Sequence, residues 1–161
     1  KMYNEVINFL TENGYEQYEI SNFARPGHES VHNSSYWRNI EYYGLGAGAH
    51  GYIDGVRYAN QGALKFYIDS MLEKGHARRE ENIVTPKERI EEEMFLGLRL
   101  LEGVDLDMFE EKYGKRAEEI FKDVIDRNIR EGYIEIEGNK LRLTRKGLFY
   151  GNDVFSEFLL D

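Results

Sequence analysis

Apolar residues recur at helical spacing where the sequence begins. Four of them share one face of a predicted helix: Tyr3, Val6, Ile7 and Leu10. Asn13-Gly14 then offers the left-handed residue that commonly ends a helix, so we expect a helix over residues 2–13. Alternating polarity over residues 17–20 predicts a strand, and the polar stretch 21–35 is typical of a loop. Helix, strand and loop in this order indicate one α/β unit.

Small residues dominate the next segment, residues 43–51, which we call the glycine-rich loop. Small residues allow the backbone to approach a ligand or another backbone closely, so we place this loop at a strand end. Asp54-Gly55 predicts the two-residue turn of a hairpin. The amphipathic stretch 64–72 predicts a helix that ends near Gly75.

The charged segment 75–84 is the candidate domain boundary, and Arg78 and Arg79 are expected to mark an exposed linker. It divides the chain into residues 1–79 and residues 80–161. Directly after it, Thr85 and Glu88 have the spacing of a capping box, which predicts the start of a helix.

In the second half, segments with apolar residues at helical spacing are followed by a segment in which apolar and polar residues alternate. Three amphipathic segments predict helices: 90–101, 106–113 and 116–130. Gly138-Asn139 then predicts the turn of a hairpin that places Ile134 opposite Leu143. A last amphipathic helix is expected over residues 147–160. Three helices, a two-stranded wing and a terminal helix are typical of a winged-helix-like module.

Charge and composition narrow the classes of function. The net charge is −9, with eight Lys and Arg against nine Asp and Glu in residues 1–79, and 13 against 21 in residues 80–161. Nucleic-acid binding depends on a basic face, so the acidic half argues against a DNA or RNA partner. The three consecutive glutamates 91–93 are expected on a solvated helix face. No apolar run approaches the ~20 residues that cross a bilayer, and no signal peptide is evident, so we expect a cytoplasmic protein.

The chain has no cysteine, which excludes disulfides, thiolate zinc sites and cysteine-ligated iron–sulfur clusters on these residues. His28, His50 and His76 show no metal-ligand spacing with carboxylates. No nucleophile, base and orienting acid form a hydrolase-like group. Because the amphipathic pattern starts directly at Lys1, we expect a chain cut from a longer protein.

The segment 32–37, which reads HNSSYW, concentrates candidate chemistry. The imidazole of His32 is a potential iron ligand, and the rings of Tyr36 and Trp37 are flat surfaces suited to a macrocycle. On composition alone, packing and hydrogen-bonding roles are the stronger interpretation of these residues, and the ligand role gains weight only through a family resemblance.

Together with YEISNFARPG at residues 18–27 and the glycine-rich loop, this motif resembles the oxygen-independent coproporphyrinogen III oxidase-like radical SAM family. The resemblance covers residues 14–60, and EEEMFLGLRLLEGVD from Glu91 and LRLTRKGL from Leu141 resemble the accessory C-terminal domain of that family. It implies an α+β fold, in which the last α/β units of a partial radical SAM barrel precede a winged-helix-like domain.

Within that family, the HNxxYW pattern resembles the haem chaperone branch. The resemblance implies that His32 binds haem as a possible ligand of its iron, with Asn33, Tyr36 and Trp37 completing the motif. It also implies that the backbone of Ala49 faces S-adenosylmethionine. The parent protein would use haem, S-adenosylmethionine and a 4Fe-4S cluster. A chain without cysteine cannot bind that cluster or start radical chemistry, so we expect these residues to be inactive by themselves. The resemblance leaves the enzymatic activity of the parent protein open.

Two alternatives remain at this stage. True oxidases of the family have an acidic residue and a histidine where this chain has Ser21-Asn22, which argues against oxidative decarboxylation. A winged-helix binding module would use helix 116–130, but its interleaved charges disfavour DNA. The expected partners are haem or porphyrin and a haem-recipient protein. Self-association is also expected, through the uncovered barrel edge of residues 1–60.

Overall fold

The computed structural model describes residues 2–160, which form two compact units. The larger unit comprises residues 2–39 and 90–160, and the smaller unit comprises residues 40–89. Both units combine helices with antiparallel strands, so the fold is a mixed helix and sheet fold. The division of the parent protein at residues 79 and 80 stays a prediction.

The larger unit opens with a helix that no buried side chain anchors. Its first elements are α1 (Met2–Glu12), β1 (Glu16–Gln17), β2 (Phe23–Ala24) and α2 (Val31–Trp37). Helix α1 confirms the predicted helix, and Gly14 at φ 79° supplies the left-handed residue after it. The Tyr3 hydroxyl donates to the Ile20 carbonyl at 2.8 Å, which fixes the helix to the chain that follows it.

The rest of the larger unit surrounds an apolar core. Its elements are α4 (Pro86–Gly97, from Ile90 onward), β6 (Val104–Asp105), α5 (Leu106–Tyr113), α6 (Ala117–Ile120), α7 (Lys122–Glu131), β7 (Ile134–Glu137), β8 (Lys140–Leu143) and α8 (Gly151–Ser156). The predicted hairpin is confirmed, because Ile134 pairs with Leu143 and Glu135 with Arg142. Strand β6 adds a third strand to this hairpin. The most buried large side chains include Phe109, Phe121, Phe158, Met94 and Leu98.

Two predicted helices are interrupted, and the prediction of continuous helices was wrong. The segment 116–130 breaks at Phe121, where φ is −110°. There the ring turns into the core and packs edge-on against Phe158, with 5.3 Å between ring centroids. The segment 147–160 begins with a 3₁₀ turn, Gly147–Phe149, before α8. In both places tertiary packing overrides the helical pattern.

The expectation of a solvated face for glutamates 91–93 was also wrong in part. Glu91 is only 7% exposed, and its carboxylate accepts the Leu160 backbone N–H at 2.7 Å. Glu93 accepts bonds from Lys112 and from the Tyr113 hydroxyl. Glu93 therefore connects α4 to α5, and Glu91 connects α4 to the segment that follows α8.

The smaller unit is a three-stranded antiparallel sheet with one helix. It contains β3 (His50–Ile53), β4 (Val56–Asn60), α3 (Leu64–Lys74) and β5 (Arg78–Ile83). The hairpin turn at Asp54-Gly55 is confirmed, with φ of 51° and 73°. Arg78 and Arg79 do not lie in a linker as predicted. They belong to β5, an exposed strand that takes up most of segment 75–84 and is held by backbone pairing with β4.

Among residues 2–160, no helix combines the length and the apolar character that crossing a membrane requires.

Candidate functional site

The HNSSYW motif lies on a helix, so the loop expected over residues 21–35 was wrong at its C-terminal end. Ser30 is the N-cap of α2, and its hydroxyl accepts the Asn33 backbone N–H at 3.2 Å. The Ser35 hydroxyl donates to the Val31 carbonyl at 2.8 Å. Just before the helix, the backbone N–H groups of Glu29 and Gly27 lower the pKa of the Glu29 carboxyl.

His32 and Tyr36 form an adjacent pair, because residues four apart lie on the same face of a helix. The Tyr36 hydroxyl and His32 Nε2 are 2.7 Å apart, and the two rings meet edge-on with 4.6 Å between centroids. His32 is exposed, and Tyr36 is partly buried. The structure therefore brings together two of the predicted site residues and presents the imidazole to solvent.

Trp37 turns toward the body of the larger unit. The Arg99 guanidinium carbon lies 4.6 Å from the centroid of the Trp37 ring. Trp37 Nε1 is buried and has no hydrogen-bond acceptor. The following residue, Arg38, forms an ion pair with Glu102 at 2.9 Å. The end of α2 is thus held by residues more than sixty positions further along the chain.

The donor set of α2 fits haem. Haem iron takes an imidazole nitrogen, and a macrocycle packs on flat apolar rings. An exposed imidazole with an aromatic ring at its side meets both requirements. Within residues 2–160, no cluster of three or more His, Asp or Glu side chains offers a site for a free metal ion.

Ala49 lies in the smaller unit, where its backbone is already hydrogen-bonded. Its carbonyl accepts the Asn60 N–H at 2.9 Å, and its N–H donates to the Gly46 carbonyl at 3.3 Å. The buried Asn60 side chain also donates to the carbonyls of Gly44 and Gly46, at 2.9 and 3.0 Å. A carbonyl oxygen has two lone pairs, so the Ala49 carbonyl can accept one further hydrogen bond.

Close packing explains two glycines of the loop without any ligand. A Cβ atom at Gly51 would collide with the Tyr58 ring, and one at Gly44 would collide with the His50 carbonyl. The Gly44 N–H donates to the Tyr58 hydroxyl at 2.9 Å. The close approach that small residues allow is therefore present in this loop, and a cofactor contact at Ala49 stays a prediction.

Sequence comparison links these features to known proteins. A sequence profile described as the HemN C-terminal domain matches residues 84–150. The chain is 47% identical over 159 residues to the haem chaperone HemW of Bacillus subtilis, covering 99% of this chain and 42% of the relative. It is 44% identical over 161 residues to the haem chaperone HemW of Lactococcus lactis, with the same two coverages. The chain belongs to the HemW-type family. It spans about two fifths of the length of these relatives.

A solved structure supports the fold of this HemW-type chain. The structure is described as coproporphyrinogen III oxidase (HemN) from Escherichia coli, a radical SAM enzyme. The TM-score is 0.74 at 21% identity, covering 97% of this chain and 39% of the other. At this identity the likeness concerns the fold alone.

Sequence reasoning missed Arg99, which contacts the end of α2, and the buried carboxylate of Glu19. Arg99 also lies over the ring of Phe155, 5.4 Å from its centroid, and neither neighbour is close in sequence. Glu19 is fully buried, and one carboxylate oxygen accepts the Ser21 N–H at 3.1 Å while the other has no donor. A charged residue inside an otherwise apolar stretch was the available signal for Arg99.

Proposed function

We propose that this chain is the haem-binding part of a radical SAM haem chaperone and also contributes a wall of its S-adenosylmethionine site. The observation that carries the proposal is the exposed His32 imidazole beside Tyr36 on a capped helix. The relatives described as haem chaperones support it.

In this proposal haem is cargo that α2 receives and later releases. His32 is a ligand of the haem iron, and Tyr36 orients the imidazole before haem binds, since its hydroxyl lies 2.7 Å from Nε2 and would give way to iron at that nitrogen. Asn33 and Trp37 complete the binding surface on the same helix. A recipient protein then takes the haem.

The finer fold assignment is part of the proposal. Residues 1–79 form the last units of a partial radical SAM barrel, and residues 80–161 form a winged-helix-like domain. The order α4, β6, α5, α6–α7, β7, β8 supports the second part, because β6 joins the two-stranded wing as its third strand. The fold likeness to a radical SAM enzyme supports the first part.

Of the two cofactors expected in the parent protein, S-adenosylmethionine fits the residues of this chain and the 4Fe-4S cluster does not. The free lone pair of the Ala49 carbonyl is available to S-adenosylmethionine. A 4Fe-4S cluster does not fit these residues, because it is ligated by cysteine thiolates and the chain has none. The proposal therefore places the cluster ligands in a part of the parent protein outside this chain.

The charges of α6–α7 and the barrel edge bear on the proposed partners. We propose no nucleic-acid partner, since cations of α6–α7 and their flanks are paired: Arg116 with Glu118, Lys122 with Asp126 and Arg127 with Glu157. A cytoplasmic location belongs to the proposal. Self-association through the barrel edge stays a prediction, and sedimentation of the chain as a compact monomer would contradict it.

Haem titration of the full-length protein tests the central claim. In His32→Ala the Soret band should develop at about tenfold or higher haem concentration than in wild type, because an iron ligand is lost. His28→Ala is the matched control, since His28 is also exposed but lies outside the motif. Equal titration curves for His32→Ala and wild type would refute the assigned role. Anaerobic conversion of coproporphyrinogen III would instead favour the oxidase.

A further inference from the structure

Residues 99–102 contact the end of the α2 helix at two points. The guanidinium of Arg99 lies over the Trp37 ring at 4.6 Å and over the Phe155 ring at 5.4 Å. A guanidinium that stacks on two aromatic rings is held in place by both. Arg99 therefore links the last residue of α2 to the core of the larger unit.

The second contact involves the residue that caps α2. Arg38 is the C-cap, and its Nη2 and Nε atoms lie 2.9 and 3.3 Å from Glu102 Oε1. Both side chains are about half exposed, so this pair is the weaker of the two contacts. Two consecutive residues of α2 thus meet one four-residue segment.

The segment itself is fixed by its backbone. The Arg99 carbonyl accepts the Ile20 N–H at 3.1 Å, and the Leu101 N–H donates to the Tyr18 carbonyl at 3.1 Å. The next residue, Gly103, has φ of 74°, and a Cβ atom there would collide with the Leu141 carbonyl. A segment bonded in this way is a firm support for α2.

Helix α2 needs such a support. It has seven residues, and isolated helices of that length are unstable in water. Within the helix, only Ser34 is classed as buried. Its position therefore depends on its cap at Ser30 and on the contacts of its C-terminal end.

We infer that Arg99 and Glu102 are positioning residues, which hold α2 so that His32 and Tyr36 present a defined face to haem. This inference rests on the proposed function. Neither residue touches the cargo in this scheme. Both lie inside the segment 84–150 that matches the HemN C-terminal domain, whereas α2 lies outside it. The accessory domain thereby sets the haem affinity of a helix that belongs to another part of the chain.

Trp37 gives a readout that does not depend on haem, because it is the only tryptophan of the chain. In the 161-residue chain, Arg99→Met should shift the Trp37 emission maximum and raise its quenching by acrylamide. Arg127→Met is the matched control, since Arg127 is also an arginine of the larger unit, but its side chain pairs with Glu157 and not with a residue of α2. Its Trp37 emission should equal that of wild type. Unchanged emission in Arg99→Met would overturn the inference.

Haem titration of the full-length protein measures the consequence. Arg99→Met should weaken haem binding about tenfold, and Arg99→Lys less, since lysine keeps the charge but not the planar stack. Glu102→Gln, which leaves the stack intact, should weaken binding about threefold because a half-exposed ion pair contributes little. Arg127→Met should stay within about twofold of wild type.

The outcomes separate this inference from the proposed function. If His32→Ala leaves haem binding unchanged, the proposed function fails. If His32→Ala weakens binding while Arg99→Met and Glu102→Gln match wild type, only the positioning role is refuted. Should Arg99→Met fail to fold by circular dichroism, Glu102→Gln alone decides, and wild-type affinity in that variant would overturn the inference.

Discussion

Asp105 joins helix α5 to the hairpin of β7 and β8. The loss in free energy of unfolding on its substitution can be worked out from its contacts. As the N-cap of α5, it accepts the Met108 backbone N–H at 2.9 Å through Oδ1. Its other oxygen lies 3.1 Å from the side-chain nitrogens of both Asn139 and Lys140. One carboxylate therefore caps a helix and binds both residues after the turn glycine of the hairpin.

Asp105→Ala should lower the free energy of unfolding by about 2–3 kcal/mol. Loss of an N-cap costs about 1 kcal/mol. The hydrogen bond from Asn139 contributes about 1 kcal/mol, and the partly exposed pair with Lys140 about 0.5 kcal/mol. Asp105→Asn keeps a capping side chain and loses the charge, so it should cost only about 0.5–1 kcal/mol.

The difference between wild type and Asp105→Asn should depend on pH. The Met108 backbone N–H and then the Lys140 side chain lower the pKa of Asp105 below its ordinary value. A carboxyl with a lowered folded-state pKa stabilises the fold above its unfolded pKa of about 4, and this contribution is lost as pH falls through the folded pKa. The two proteins should therefore converge below about pH 4.

Urea unfolding, followed by Trp37 emission as a reporter of the larger unit, measures these differences at pH 7 and pH 3. Equal destabilisation by Asp105→Ala and Asp105→Asn would show that the cap contributes nothing. A gap between wild type and Asp105→Asn that is as wide at pH 3 as at pH 7 would refute the electrostatic part of the reasoning.

Two further substitutions test local packing. Gly147→Ala should lower the free energy of unfolding in urea by about 3 kcal/mol, because its Cβ would collide with the Tyr133 backbone carbonyl. Gly62→Ala is the control, since a Cβ there meets nothing within 4 Å, and its free energy of unfolding should stay within about 0.5 kcal/mol of wild type. Asn60→Ala removes two hydrogen bonds to carbonyls of the glycine-rich loop, so amide hydrogen exchange in that loop should accelerate by about tenfold or more. Unchanged exchange would mean that the loop is held by other contacts.

Local rules predicted the hairpins and the helix start correctly. Gly138-Asn139 and Asp54-Gly55 sit where a two-residue turn requires positive φ at its glycine, and the flanking alternation then fixes the register. At Thr85 the capping box is complete, with the Glu88 carboxylate 2.7 Å from the Thr85 nitrogen. Each of these features depends on residues within a few positions of one another.

Non-local contacts explain the errors. Strand β5 was not predicted because all six of its residues are exposed, so it has no apolar alternation, and its stability comes from pairing with β4. Glu91 is buried because the backbone of Leu160 donates to it from the other end of the domain. Neither partner is visible in a window of neighbouring residues.

In the candidate site, too, contacts between residues close in sequence were predictable and contacts between distant residues were not. The resemblance supplied His32 and Ala49, and the spacing of His32 and Tyr36 predicts their contact once the segment is known to be a helix. Ser30 three residues before Asn33 was the signal for that helix. The charge of Arg99 inside an apolar stretch was a signal for that residue but not for its partner, and Glu102 had no signal, because each meets α2 or its C-cap across more than sixty residues.

The Arg99 contact predicts that stability and haem affinity respond differently to one substitution. Buried Arg99 Nε and Trp37 Nε1 both lack acceptors, and each unmade bond costs about 1–3 kcal/mol. The cation–π contacts of Arg99 stabilise the fold by about 1–2 kcal/mol. Arg99→Met removes the unpaired Nε donor together with those contacts, so the free energy of unfolding should stay within about 1 kcal/mol of wild type, while haem binding weakens. Urea unfolding and haem titration on the same protein check this split. A stability loss large enough to account for the weaker binding would make Arg99 a part of the core and not of the site.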